Sequence, residues 1–141
     1  MNSIRERIVR EVVARLEEAV APIPVLRHPT IPITRDASPW LLIFAESDSI
    51  TAYANDLVDR TLILRLVMVA RGEDAFDRAD RAMVAAHAAL LRDATLGGLS
   101  LLLHEVDCEW EAEDADAGAA ALPARYQIRY RTFANDLTRQ G

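Results

Sequence analysis

The chain has a single cysteine, no lysine and no long apolar run. Cys108 alone excludes an internal disulfide bond and any zinc site built from several cysteines. No apolar run approaches the roughly 20 residues that cross a bilayer as a helix, so no membrane partner is expected. All 16 basic residues are arginine, whose planar guanidinium pairs with carboxylates at two points and suits protein interfaces.

The length and the charge restrict the class of protein. A chain of 141 residues is expected to form one domain, residues 1–141, with a core large enough to need no disulfide or metal. The net charge of −6 disfavours binding to a nucleic-acid backbone. Polar, charged sequence follows Met1 directly, so we expect no signal peptide and a cytoplasm-like compartment.

Two amphipathic helices are predicted from apolar residues at helical spacing. The first covers residues 2–20, with Ser3 as a candidate N-cap, and the second runs from Gly72 to about Asp93. The two buried stripes are expected to contain Ile4, Ile8, Val12, Leu16 and Val20 in the first helix and Phe76, Ala79, Met83, Ala86 and Leu90 in the second.

Three strands are predicted between these helices. Val25 to Arg27 is read as an edge strand, Trp40 to Ala45 as a buried strand and Arg60 to Ala70 as a central strand. Arg65 interrupts the apolar pattern of the third strand and would need a carboxylate partner if it is buried. Glu46 to Asp59, which joins the second and third strands, is interpreted as a mobile flap.

The last part of the chain predicts a hairpin with matched charges. At period two, acids lie on one face of a strand near residues 101–111, and arginines lie on one face of a strand near residues 125–133. We expect three opposed pairs, Glu111 with Arg125, Asp107 with Arg129 and Glu105 with Arg131, and three pairs on the inner face, Trp110 with Tyr126, Cys108 with Ile128 and Val106 with Tyr130. Glu113 to Ala121 is read as a flexible acidic loop, and the tail beyond Asn135 is expected to fray.

The order of elements predicts an α+β fold. It reads α-β-β-β-α-β-β, which favours a mainly antiparallel sheet of four to five strands with two helices packed on it.

No residue pattern predicts catalysis, a cofactor or a metal. His28, His87 and His104 lack the spacing of a metal site, and His104 is expected to face the core. Cys108 is expected to be buried, with its pKa raised by the neighbouring acids. Gly97 and Gly98 follow a helix, which is the reverse of the order in a phosphate loop, so the pair is predicted to terminate the helix. We therefore expect no catalytic, cofactor-binding or metal-binding residues and a protein that is not an enzyme.

Four short segments, taken in order, resemble a known family. Ile4 to Leu16 is similar to the first helix of phage tail terminator and minor tail proteins of the lambda U type, and Arg60-Thr61-Leu62 to their central strand. Asp93 with Leu96-Gly97-Gly98-Leu99 resembles their helix-to-strand turn, and Tyr126 to Thr132 their closing strand.

The resemblance implies a structural virion protein. Such a subunit forms a ring, a hexamer in this family, that caps the tail tube, ends its polymerisation and offers a surface for head joining. The implied partners are further copies of the chain, the tail tube protein and a head completion protein, while DNA passes through without specific binding. The implied location is the virion tail, assembled in the bacterial host cytoplasm.

The hypothesis for the interface places contacts on residues 46–58 and on the hairpin tip, residues 112–122. Its candidate residues are Tyr53, Leu57, Arg65, Glu113, Asp114 and Asp116. Two other classes stay open, a head–tail adaptor or other tail component of the same fold and a small-molecule-binding or enzymatic α+β domain. The last would need a concave pocket with converging polar groups.

Overall fold

The structure is a computed structural model that describes residues 1–29, 39–109, 111–112 and 119–141, with only the backbone of Glu111, Ala112 and Ala119. The residues so described form two helices, α1 (Ile4–Val20) and α2 (Ala75–Leu91). Ser3 caps α1, since its hydroxyl accepts a hydrogen bond of 3.1 Å from the backbone N–H of Glu6. Neither helix is long and apolar enough to reach across a bilayer.

Both predicted apolar stripes lie in the core, with one exception. All five stripe residues of α1 are buried, and so are Ala79, Met83, Ala86 and Leu90 of α2. The prediction for Phe76 was wrong, because its side chain is 38% exposed. Phe76 lies in the first turn of α2, and buried Ala75 takes the inward position there.

The strands form one mostly antiparallel sheet in the order β1-β2-β3-β6-β4, and β5 and β7 also pair with β6. Among the strands of the described residues, only β1, at the edge, runs parallel to its neighbour. The α+β prediction is confirmed, with two short strands added to the predicted order. The strands are β1 (Val25–Arg27), β2 (Trp40–Ala54), β3 (Leu57–Arg71), β4 (Leu102–Cys108), β5 (Glu111–Ala112), β6 (Ala119–Phe133) and β7 (Asp136–Gln140).

The core lies between one face of the sheet and the two helices. On β3, the even-numbered positions from Leu62 to Ala70 are at most 1% exposed, whereas most of the odd-numbered ones are half-buried. Tyr126, Ile128 and Tyr130 on β6 complete the same buried face. The helices therefore cover one side of a central strand, as the alternation of side chains requires.

The predicted flap is a β-hairpin instead. β2 continues to Ala54 and pairs with β3 as far as Ala54 opposite Leu57, with Asn55 at a φ of 58° in the turn. Most polar side chains of this segment are exposed, which explains why the sequence pattern resembles a loop. Two irregularities, between Ala45 and Ser47 and between Ile50 and Ala52, interrupt the alternation further.

The expected fraying of the tail was also wrong. Residues 136–140 form β7, the Gln140 amide donates to the Gly98 carbonyl at 2.7 Å, and Arg7 donates to the Thr138 carbonyl at 2.5 Å. The predicted loop from residue 113 to 121 is strand from Ala119 onward, and residues 113–118 lie outside the described part of the chain.

The predicted charge pairing of the last hairpin has the wrong register. Glu105 lies opposite Tyr126 rather than Arg131, and Asp107 lies opposite Arg125 rather than Arg129. Glu111 lies opposite Ala121 rather than Arg125. A bulge between Glu105 and Asp107 changes the face on which the strand presents its side chains.

The inner-face pairs of that hairpin change with the register. Cys108 lies opposite Ala124 rather than Ile128, and Val106, which the bulge takes out of the ladder, is 44% exposed. His104 is half-buried, so its predicted place on the core face was wrong as well. The predicted partner of Tyr126, Trp110, lies outside the described residues.

The arginines of β6 pair with two different strands. Arg125 binds Asp107 on β4 through two hydrogen bonds, at 3.0 Å from Nε and 2.5 Å from a terminal nitrogen. Arg131 binds Asp59 on β3 at 2.6 Å, and Arg129 lies 3.9 Å from the same carboxylate. These ion pairs lower the pKa of Asp59 and of Asp107, chiefly through the arginine hydrogen bonds.

The turn from α2 to β4 is fixed by one carboxylate. Asp93 accepts hydrogen bonds from the Thr95 hydroxyl at 2.6 Å, the Gly97 N–H at 2.9 Å and Arg15 of α1 at 3.1 Å. Together these contacts hold the pKa of Asp93 well below its usual range. Gly97 and Gly98 adopt φ values of 71° and 92°, which side chains disfavour, so the pair shapes the turn that leads into β4. The prediction that the pair ends the helix was wrong, because α2 already ends at Leu91 with Arg92 as its C-cap.

Protonation of Glu6 is expected to destabilise the attachment of α1 to β1. Arg27 donates to both carboxylate oxygens at 2.7 Å, and this contact, with Arg10, lowers the pKa of Glu6 from 4.5 to about 2 against an opposing desolvation. Because the folded-state pKa is the lower one, the stabilisation is complete above pH 4.5 and is lost as the pH falls through 2.

We therefore expect Glu6→Gln to lower the free energy of unfolding at pH 7 by about 1 kcal/mol. The difference from wild type should shrink as the pH is lowered from 5 towards 2.5, as measured by urea denaturation. Glu17→Gln, at an exposed position of α1, is the control and should change little at any pH. A pH-independent effect of Glu6→Gln would contradict the proposed ion pair.

Candidate subunit interface

The distal part of the β2–β3 hairpin, residues 46–59, is called the arm. Every side chain from Ser49 to Asp56 is exposed, although the backbone is paired in antiparallel ladders. Thr51 adds a hydrogen bond of 3.2 Å from its hydroxyl to the Asp59 carbonyl. The arm is thus ordered backbone that carries side chains available for contact.

The base of the arm is tied to the core by a buried carboxylate. Asp48 has a side chain only 8% exposed, and its Oδ2 accepts hydrogen bonds from Arg5 of α1 at 2.8 Å and from the hydroxyl of Tyr130 on β6. Burial, and then the bond to Asp48, raises the pKa of Tyr130 above its ordinary value. This cluster holds the arm in a fixed direction relative to the helices.

The tip of the arm, residues 50–57, exposes apolar groups on both of its faces. Tyr53 is 68% exposed and Ile50 is 44% exposed, and both lie on the face that carries Val58. The other face has a hollow of about 140 Å³, lined by Ala52, Ala54, Leu57, Asp59 and Arg131. Exposed apolar side chains on an ordered projection are typical of a contact surface.

Arg65 has a different partner from the one predicted. It stacks on Phe44, with the guanidinium carbon 4.8 Å from the ring centroid, and forms no salt bridge with any described carboxylate. Its Nε is buried without a hydrogen-bond partner. Arg65 lines an open cleft of about 310 Å³ with Glu46, Asp107, Glu109, Pro123 and Arg125.

The predicted interface residues therefore do not form one site. Tyr53 and Leu57 lie together in the arm, and Arg65 lies in the cleft near the middle of β3. Glu113, Asp114 and Asp116 fall outside the described residues.

The histidines and the cysteine have structural surroundings. His28 accepts a hydrogen bond of 2.9 Å from the Ala45 N–H, and His87 shares one of 2.8 Å with the buried Tyr126 hydroxyl. Cys108 is exposed, not buried as predicted. The predicted direction of its pKa is confirmed: partial desolvation raises it, and nearby acids on β4 and α2 add to the shift. No group of three potential metal ligands occurs within the described ranges.

Sequence reasoning missed Asp48, Ile50 and Arg139. Asp48 stands in the polar run Glu46-Ser47-Asp48-Ser49, where nothing distinguishes a buried carboxylate from an exposed one. Ile50 could have been identified with Tyr53, since both are apolar groups in a polar segment. Arg139, which stacks on Phe133 at 4.4 Å, lies in the tail that was expected to fray.

Comparisons with known proteins inform the fold only. No protein-family model matches the chain, and no curated protein matches its sequence. Among solved structures 37 chains match, so the arrangement recurs. One of them, a protein without a descriptive name, superposes with a TM-score of 0.53 at 15% identity, covering 89% of this chain and 92% of its own. At this identity the likeness shows a shared fold.

Removal of the Tyr130 hydroxyl is expected to weaken the base of the arm. Tyr130→Phe leaves buried Asp48 with one donor fewer and should lower the free energy of unfolding by about 1–3 kcal/mol. Urea denaturation measures this change. The matched control is Tyr53→Phe, which removes a hydroxyl from an exposed ring and should leave stability unchanged. Equal effects of the two variants would contradict the role assigned to Asp48.

Proposed function

We propose that this chain is a structural subunit that assembles into a ring, caps the tube of a phage tail and presents a surface for head joining. The observation that carries the proposal is the arm, an ordered hairpin with exposed apolar side chains on both faces of its tip. A buried side chain cannot contact another molecule. The apolar side chains at this tip are exposed to solvent, so a partner molecule can cover them. The order of elements resembles that of the tail terminator family, and this resemblance supports a contact made within a phage tail.

The surface chemistry supports action by docking. The arm is anchored through Asp48 to α1 and β6, so little conformational entropy is lost when a partner binds to it. The net charge of −6 suits a ring through which DNA must move, because a basic lumen would hold the phosphate backbone. In the proposed ring, neighbouring copies contact one another through their arms.

Loss of an apolar side chain at the tip should prevent assembly without unfolding the subunit. Tyr53→Ser removes a largely exposed ring, so the thermal midpoint should stay unchanged while the ring dissociates. Light scattering after size exclusion, followed by electron microscopy of the purified protein, measures the assembly. Val84→Ser is the matched control, since Val84 is 63% exposed but lies on α2.

The function itself is tested with purified tail tubes. Electron microscopy should show the protein bound at tube ends and further tube growth halted. Binding to the head completion protein without binding to tube ends would instead indicate the adaptor class. A stable monomer that binds neither partner would contradict the proposal.

A further inference from the structure

We infer that Tyr53 of one copy inserts into the hollow on the arm of the next copy, a contact that rests on the ring proposed above. One face of the arm carries the exposed ring of Tyr53, and the opposite face carries the hollow. The hollow is lined by Ala52, Ala54, Leu57, Asp59 and Arg131. Its occupant in the assembly is therefore a second copy of this chain.

Tyr53 cannot fill the hollow of its own copy. Tyr53 pairs with Val58, and Ala54 pairs with Leu57, in the same antiparallel ladder. Successive residues of a strand point to opposite faces, so the side chains of Tyr53 and Ala54 project away from each other. A tyrosine ring that enters this hollow must come from another molecule.

The hollow has the size and the lining that an aromatic ring needs. Its volume is about 140 Å³, and a cavity of about 150 Å³ is large enough to hold a benzene molecule. The methyl groups of Ala52 and Ala54 and the side chain of Leu57 supply apolar contacts. Because alanine side chains are small, they leave open the space that an inserted ring would take.

The charged residues of the hollow suit the hydroxyl group of a tyrosine. Arg131 binds Asp59 at 2.6 Å, so the two charges neutralise each other and no ionic ligand is selected. A carboxylate oxygen can accept more than one hydrogen bond, so Asp59 can also accept one from an inserted hydroxyl. The site therefore matches a side chain with an apolar ring and a polar end.

The surface of the chain itself offers such a side chain. Among the phenylalanine, tyrosine and tryptophan residues that the structure describes, Tyr53 and Phe76 are exposed, at 68% and 38%. Phe76 lies in the first turn of α2, whereas Tyr53 lies at the end of a projecting hairpin. Tyr53 is thus the described aromatic side chain best placed to reach into a neighbour.

The positions of the ring and the hollow determine the symmetry of the contact. When the Tyr53 face of one arm lies on the hollow of a second arm, the tyrosine of the second copy points away from the first. The two copies therefore cannot exchange their tyrosines, and the pair retains one free ring and one free hollow. Repetition of such a heterologous contact produces a ring when the rotation closes.

The area of the contact favours a closed ring over a pair. One aromatic side chain buries about 150–250 Å². A stable pair of proteins buries about 1,200 Å² or more in total, so one insertion holds two copies together only weakly. In a closed ring each copy takes part in two such contacts, and the last contact forms within one assembly.

Complementary variants test the inference on the full chain. Tyr53→Ser removes the ring, and Ala54→Phe fills the hollow from within the same copy. Each variant alone should self-associate about thirtyfold more weakly than the wild type, or weaker still, in sedimentation velocity. An equimolar mixture at high concentration should form pairs that stop at two copies, because one intact ring meets one intact hollow. Tyr53→Phe keeps the ring and should lose only about fivefold.

The matched control is Ala14→Phe, which places the same ring at an exposed position of α1 and should associate like the wild type. Wild-type protein that stays monomeric, an Ala54→Phe variant that assembles normally, or a mixture that fails to pair would each overturn the inference. Binding at tail-tube ends is scored separately by electron microscopy. Tube ends capped equally well by Ala54→Phe would reject this contact and leave the proposed function standing.

Discussion

The pairing of β3 with β6 determines where the rest of the molecule lies. The two strands are antiparallel over their whole length, from Leu57 opposite Phe133 to Arg71 opposite Ala119. β2 occupies the free edge of β3, and β4, β5 and β7 share the free edge of β6. A slip of one residue would turn the buried leucines of β3 away from the helices, so burial of this face fixes the register for every neighbouring strand.

The fold class and the helices could be predicted because their signals are local. The apolar spacing of α1 and the alternation of β3 each depend on a few adjacent residues. The register of β4 could not be predicted, because each arginine of β6 has a neighbouring strand on both sides. Arg131 faces Asp59 of β3, whereas the sequence pattern offers Glu105 of β4 as an equally suitable partner.

The candidate site in the arm could also be predicted only in part from the sequence. Tyr53 and Leu57 could be identified from sequence as apolar residues in a polar segment, and Tyr53 is indeed exposed. Its backbone was misread because pairing with β3, rather than local propensity, makes the segment a strand. Arg65 was expected to need a carboxylate, but contact with the Phe44 ring supplies an attraction that no charge pattern reveals.

An exposed hairpin also carries a risk of indiscriminate pairing, since a free strand edge is a template for other strands. β1 pairs with β2 only as far as Ile43, and no described strand pairs with the outer edge of the arm beyond it. The irregularities after Ala45 and Ile50 interrupt the ladder on that stretch, and bulges are a common means of protecting an edge. Because the backbone ladder is interrupted, we expect the arm to recognise a partner through its side chains. Side chains distinguish one partner from another, and the proposed role, in which a subunit joins only its own ring and one tube, would require such discrimination.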